Sequence, residues 1–165
     1  MSNRTDDLEP QTRAMCLQLL HDAEDLGHDL GLSWTLRTDA EQNHMHAKGR
    51  TLAGEPCHHS DGRRPVGTCA QHPLGATVTR AKAGQSPHNE IVDGKACAFD
   101  IYFKGAVAYP PESDPRWAEL GALGESLGLS WGGPRGKGDR FTFDRPHFEH
   151  PKWKEMRATV SGETG

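Results

Sequence analysis

The 165-residue chain has no long apolar run, no Cys-x-x-Cys pair and no excess of basic residues, and each lack excludes a class of function. Without an apolar stretch of about 18 residues or more, there is no candidate transmembrane helix, and no stable membrane association is expected. The opening Met1-Ser-Asn-Arg-Thr-Asp-Asp lacks the basic and then apolar pattern of a secretory signal. Lys and Arg number 19 against 23 Asp and Glu, giving a formal net charge of −4. Phosphate neutralisation needs a clustered basic excess, so a nucleic-acid partner is not expected. The four cysteines, Cys16, Cys57, Cys69 and Cys97, point to a protein made in a reducing cytoplasm rather than one stapled by disulfides. No internal repeat is found.

The length suits a single domain over residues 1–165, expected to be monomeric. Charged residues make up 25% and apolar residues 34%, with many Gly and Pro, which fits a soluble, loop-rich α+β protein. Met15, Leu19, Leu20, Ala23, Leu26 and Leu30 recur at helical spacing within Leu8–Leu30, after Glu9 and Pro10 and before Gly31. Leu32 to Arg37 alternates like a strand, which puts Arg37 at a strand end, and Thr38-Asp39 caps a second helix to about Lys48. Residues 52–76 lose periodicity and read as a loop insertion. A short extended segment is expected over Thr77–Lys82. Ala96–Phe103 is the clearest strand, with Asp100 as its one charged residue, tolerable there only if paired or coordinated. Asp114-Pro115 opens a third helix with Trp117, Leu120, Leu123 and Leu127 on one face, ended by Gly128. Leu129–Gly133 reads as an edge strand or turn, Arg140–Phe143 as another strand, and Pro146 as a break just before His147. The polar tail, residues 155–165, is expected to be flexible.

Ten histidines, several in short clusters, direct attention to metal chemistry. Zinc hydrolases hold the ion with three protein ligands, leave a position for water and need a carboxylate to take that water's proton. His88, Asp100 and His147 make such a His-Asp-His set, with Asp144 or Glu149 as the base. Neutral imidazole and carboxylate suit zinc. The insertion adds Cys57-His58-His59 and Cys69-x-x-His72, a candidate for a second structural zinc or, after release from the cell, a Cys57–Cys69 disulfide.

Ser86-x-His88, Gly94, Ala98-Phe99-Asp100 and Asp144-x-x-His147-Phe-Glu149 together resemble the signature of the zinc peptidases that include D-alanyl-D-alanine dipeptidases and carboxypeptidases and the phage L-alanyl-D-glutamate endolysins. Thr35-Leu-Arg37-Thr38-x-x-Glu41-Gln42, Gly49-Arg50-Thr51 and Thr79-x-Ala81-x-x-Gly84 extend the likeness to the endolysin branch, so that it runs from about Ser33 to Glu149. The resemblance implies a small antiparallel sheet packed against helices, with the zinc site in a cleft on the sheet. It further implies His88, Asp100 and His147 as zinc ligands, Asp144 as the general base, Arg37 as a donor to the scissile carbonyl, Gln42 as a substrate-binding residue, and Ser86 as a residue that orders the loop or binds substrate. Two features depart from the family pattern: the 52–76 insertion, and the unusual length between His88 and Asp100. That length makes Asp93 a rival ligand. Asp100 is preferred because a strand would aim its side chain, whereas Asp93-Gly94 reads as a hairpin tip.

The activity implied is hydrolysis of the L-alanyl-D-glutamate bond of the peptidoglycan stem peptide. As an endolysin, the protein would stay in the host cytoplasm until a holin-type pore released it to the wall. The alternatives are a D-alanyl-D-alanine carboxypeptidase or dipeptidase of the same family, a metal-dependent nuclease, and a non-catalytic wall-binding module. Asp rather than Glu ahead of the last ligand, together with the Arg-Thr and Gly-Arg-Thr elements, favours the endolysin branch.

Overall fold

The computed structural model describes residues 1–47, 79–134 and 144–162. The Gly49-Arg50-Thr51 element, the insertion with Cys57, His58, His59, Cys69 and His72, and the strand expected at Arg140–Phe143 lie outside the described residues. So does the chain end from residue 163.

A buried carboxylate starts the first helix. α1 spans Pro10–Asp25, with Pro10 in its first turn and Glu9 as N-cap, accepting from the Gln11 and Thr12 amides at 3.0 and 2.9 Å. Gly27, at φ +85°, lets the chain leave the helix. Cys16, Leu19 and Ala23 are fully buried along one stripe, whereas Leu26, expected on that stripe, is exposed as the C-cap residue. β1 follows at Leu30–Trp34, so Leu30 belongs to the sheet and Arg37 lies in the turn beyond it. α2, Asp39–Ala47, opens with a capping box: the Thr38 amide donates to the Glu41 carboxylate at 2.9 Å, and the Glu41 amide to the Thr38 hydroxyl at 3.2 Å.

β2 covers Ala98–Phe103, α3 Pro115–Ser126, β3 Ser130–Trp131 and β4 His147–Glu149. The four strands form one antiparallel sheet in the order β1-β2-β4-β3, packed against helices as expected for an α+β protein. Strand alternation divides the sheet's residues between two faces. Phe99, Ile101 and Phe103 of β2 and Phe148 of β4 join Leu19, Trp117 and Leu120 in the main core. Ala98 and Asp100 of β2, and His147 and Glu149 of β4, take the opposite face. α3 approaches the sheet closely because it presents glycines. A Cβ at Gly124 would come within 2.4 Å of the Phe148 ring, and one at Gly121 within 2.2 Å of the Trp131 ring.

The polar tail corrects the sequence reading, because Trp153–Gly162 forms a helix, α4. Its anchor is apolar: Trp153 is buried with Ile91 and Cys97, and Met156, three residues on, packs against the same cluster. Two apolar residues one turn apart give a stripe too short to stand out in a polar sequence.

Candidate metal centre

The segment carrying His88 is held by its own hydrogen bonds before any ligand is considered. Gly84 turns the chain at φ +70°, and its carbonyl accepts from Arg157 of α4. The Ser86 amide donates to the Asn89 side chain at 3.2 Å, the Asn89 amide to the Ser86 carbonyl at 3.0 Å, and the His88 amide to the Ser86 hydroxyl at 3.3 Å. Of the roles read for Ser86, ordering the loop is the one its bonds carry out. Two bonds between residues distant in sequence tie this loop to the turn after β1: the Arg37 amide donates to the His88 carbonyl at 2.7 Å, and the Asn89 side-chain amide to the Arg37 carbonyl at 3.0 Å. That turn is itself braced by Ser2, whose backbone pairs with Thr35 and Leu36.

Three donor atoms converge. His88 Nε2 lies 3.2 Å from His147 Nδ1 and 3.3 Å from Asp100 Oδ1, and His147 Nδ1 lies 3.0 Å from the same Asp100 oxygen. A tetrahedral zinc with bonds of about 2.0–2.1 Å separates its ligand atoms by roughly 3.3 Å, so this triangle has the size of one tetrahedral face. The outward nitrogens are occupied as metal-binding imidazoles require. His88 Nδ1 donates to the Thr35 carbonyl at 2.7 Å, leaving the Nε2 lone pair facing inward, and His147 Nε2 lies 3.2 Å from the buried Glu149 carboxylate. His88, Asp100 and His147 thus form a buried cluster able to coordinate a divalent ion.

Charge balance in the cluster follows from burial and proximity. Burial works against the ionised form of Asp100, yet the His88 and His147 imidazoles hold its carboxyl well below the usual carboxylate range. Burial also opposes charge on His147, but hydrogen bonds to Asp100 and Glu149 raise it to about 10.

The length between His88 and Asp100 forms a separate turn. Val92 and Lys95 bridge, with Asp93 at φ 49° and Gly94 at φ 71° between them, the pattern of a tight hairpin. Asp93 is exposed at the tip and takes no part in the triangle; Asp100 does, directly opposite His147 in the β2–β4 register.

Asp144 and Arg37 stand around the cluster. Asp144 belongs to the turn entering β4, where its carbonyl accepts from the His147 amide at 3.2 Å. The residue lies at the surface, but crowding of its carboxyl by protein, reinforced by the Asp100 charge, raises its pKa against the pull of His147, His88 and Arg37. Arg37 is 8% exposed, and burial lowers its pKa against the attraction of Asp100 and Asp144. It has no ion-pair partner among the described residues. One guanidinium nitrogen, Nη1, donates to Gln42 at 2.8 Å, while Nε is buried without a partner among the described residues.

Gln42 departs from its expected role as a substrate contact. It is fully buried, with its oxygen taken by Arg37 and its nitrogen donating to the Ala81 carbonyl at 2.7 Å, so it holds Arg37 and the 79–89 segment. Sequence reasoning gave no role to Thr35, which acts through its backbone carbonyl, or to Asn89, whose side chain ties Ser86 to the Arg37 carbonyl. No known protein-family model matches the chain.

Proposed function

We propose that the protein is a zinc-dependent peptidase of the peptidoglycan stem peptide, cleaving the L-alanyl-D-glutamate bond, with His88, Asp100 and His147 holding the ion. The triangle of donor atoms carries this reading, with a carboxylate of raised pKa and an arginine that makes no ion pair among the described residues. The ordered motifs from Ser33 to Glu149 support the choice of substrate.

A zinc ion held there supplies Lewis acidity and lowers the pKa of a water molecule. Asp144 accepts the proton of the attacking water and returns it to the leaving amine; its raised pKa brings base and acid roles closer to neutrality. Arg37 donates to the carbonyl oxygen as negative charge develops, a capacity that no carboxylate among the described residues takes up. Glu149 orients His147 and is therefore assigned away from the base. In this reading the protein is a monomeric phage endolysin, held in the host cytoplasm until a holin-type pore admits it to the wall.

Zinc-loaded protein incubated with purified peptidoglycan, followed by mass spectrometry of the released fragments, tests the assignment. New N-terminal D-glutamate is expected. Release of D-alanine with intact L-alanyl-D-glutamate bonds would move the protein to the carboxypeptidase reading, and no cleavage with zinc bound would leave a wall-binding module.

A further inference from the structure

β1 contains a bulge that changes the face on which its last residue stands. Leu30 and Leu32 oppose Phe103 and Ile101 on the core face, and regular pairing would next place Ser33 opposite Asp100 and Trp34 opposite Phe99, back over the core. The ladder instead shifts between Leu32 and Trp34, so Trp34 opposes Asp100. Ser33 is the extra residue, its hydroxyl donating to the Asp100 carbonyl at 3.2 Å. A bulge of this kind re-aims a side chain at the end of a strand pair.

The fold thereby gives up burial of an indole. Trp117, Trp131 and Trp153 are 3%, 5% and 8% exposed, whereas Trp34 is 38% exposed and belongs to neither hydrophobic cluster. Single exposed apolar residues are common and need no explanation. Here, though, an inserted residue carries the indole to the face of the sheet that holds the metal cluster, opposite one of its ligands.

We propose that Trp34 is a substrate-contact residue whose indole takes the apolar face of the saccharide to which the stem peptide is joined; this rests on the peptidase reading above. Trp34 stands on β1, the strand paired with the one that carries Asp100, directly opposite that residue. In the proposed substrate the saccharide is joined one amino acid from the bond to be cleaved, so it lies beside whatever holds that bond. A rigid aromatic face is suited to a partner both apolar and hydroxylated.

Because the other tryptophans are buried, iodide quenching of fluorescence reports Trp34. In Asp144→Asn protein loaded with zinc, a disaccharide-linked L-alanyl-D-glutamyl peptide is expected to protect the fluorescence, and the same peptide without sugar to protect it far less. In steady-state hydrolysis of the disaccharide peptide, Trp34→Ala is expected to raise KM about tenfold with kcat within about twofold, and Trp34→Phe to recover most of the loss. Equal protection by the sugar-free peptide overturns the saccharide assignment. Hydrolysis by the unmodified protein with no protection, or an unchanged KM in a folded Trp34→Ala, overturns the inference alone. Neither hydrolysis nor protection overturns it together with the peptidase reading.

Discussion

Asp100 and His147 face each other across the β2–β4 ladder, with Oδ1 and Nδ1 3.0 Å apart. The same register sets Glu149 opposite Ala98, two residues along and on the same face. One pair of strands thus supplies two donor atoms and the carboxylate that orients one of them, while His88 comes from a loop fastened to Arg37. Whatever shifts β4 moves a ligand and its orienting partner together, and whatever shifts the turn after β1 moves His88 and Arg37 together.

Asp144→Ala separates base from ligand. Asp144 is not one of the three converging atoms, so the variant should bind one zinc per chain with near-normal affinity. Wall hydrolysis should fall by about 10²–10⁴, the range for a lost general base. Zinc content by elemental analysis and turbidity loss of a wall suspension read the two effects. Zinc retained with lysis retained would sink the assignment of Asp144 and return Glu149 as the candidate.

Glu149→Gln keeps a hydrogen-bonding group beside His147 Nε2 but removes its charge, and Glu149→Ala removes both. An outer carboxylate of this kind raises ligand basicity and fixes the ring, so zinc affinity should weaken by about 10–100-fold in the alanine variant and less in the glutamine variant. Chelator competition measures this directly. Equal affinity in all three proteins would show that the 3.2 Å contact does nothing for the metal.

The candidate triangle was legible through the motifs that resemble the zinc peptidases, with strand alternation marking Asp100 as a lone charge among apolar residues. Element types came through well for the same reason, periodicity. What sequence could not give were properties of register and of backbone bonding. Ser33 reads as one more alternating residue, yet it is the bulge that turns Trp34 over. Gln42 reads as a polar helix residue facing the site, yet its amide is spent on Arg37 and Ala81. α4 escaped notice because Trp153 and Met156 supply its inward side from only two positions.

Acid should weaken the fold through Glu9. Burial alone would raise its pKa, but bonds from the Gln11 and Thr12 amides and the Thr12 hydroxyl, with the charge of His150, hold it below the ordinary 4.5. A carboxylate depressed in the folded state contributes stability present above its unfolded pKa and lost as pH falls through the folded one. Glu9→Ala should therefore cost about 1–2 kcal/mol at pH 7, the scale of a lost helix N-cap. The gap between variant and parent should begin to narrow as pH falls through the ordinary 4.5 and close only once pH passes the lower folded-state pKa, where the parent's cap is protonated. Urea melts at pH 7 and pH 3.5 test this, and a gap independent of pH would assign the effect to packing instead of charge.

Gly124→Ala should connect the core to the metal. Alanine favours a helix over glycine by about 1 kcal/mol, which alone predicts a more stable α3. The added methyl would meet the Phe148 ring at 2.4 Å, however, and the ring is fully buried and stacked on Phe99 with centroids 5.7 Å apart. Overpacking of this kind costs about 1–3 kcal/mol, so a net loss is expected. Phe148 lies between His147 and Glu149, and relief of the clash requires β4 to shift. Zinc affinity should then fall even though no ligand has changed. Gly27→Ala serves as the comparison, since Gly27 is also strained by a side chain at φ +85° but has nothing within 4 Å of the added carbon. It should lose stability while binding zinc normally. Calorimetric titration of both variants decides the point: equal zinc affinities would mean that β4 holds its ligands independently of the helix behind it.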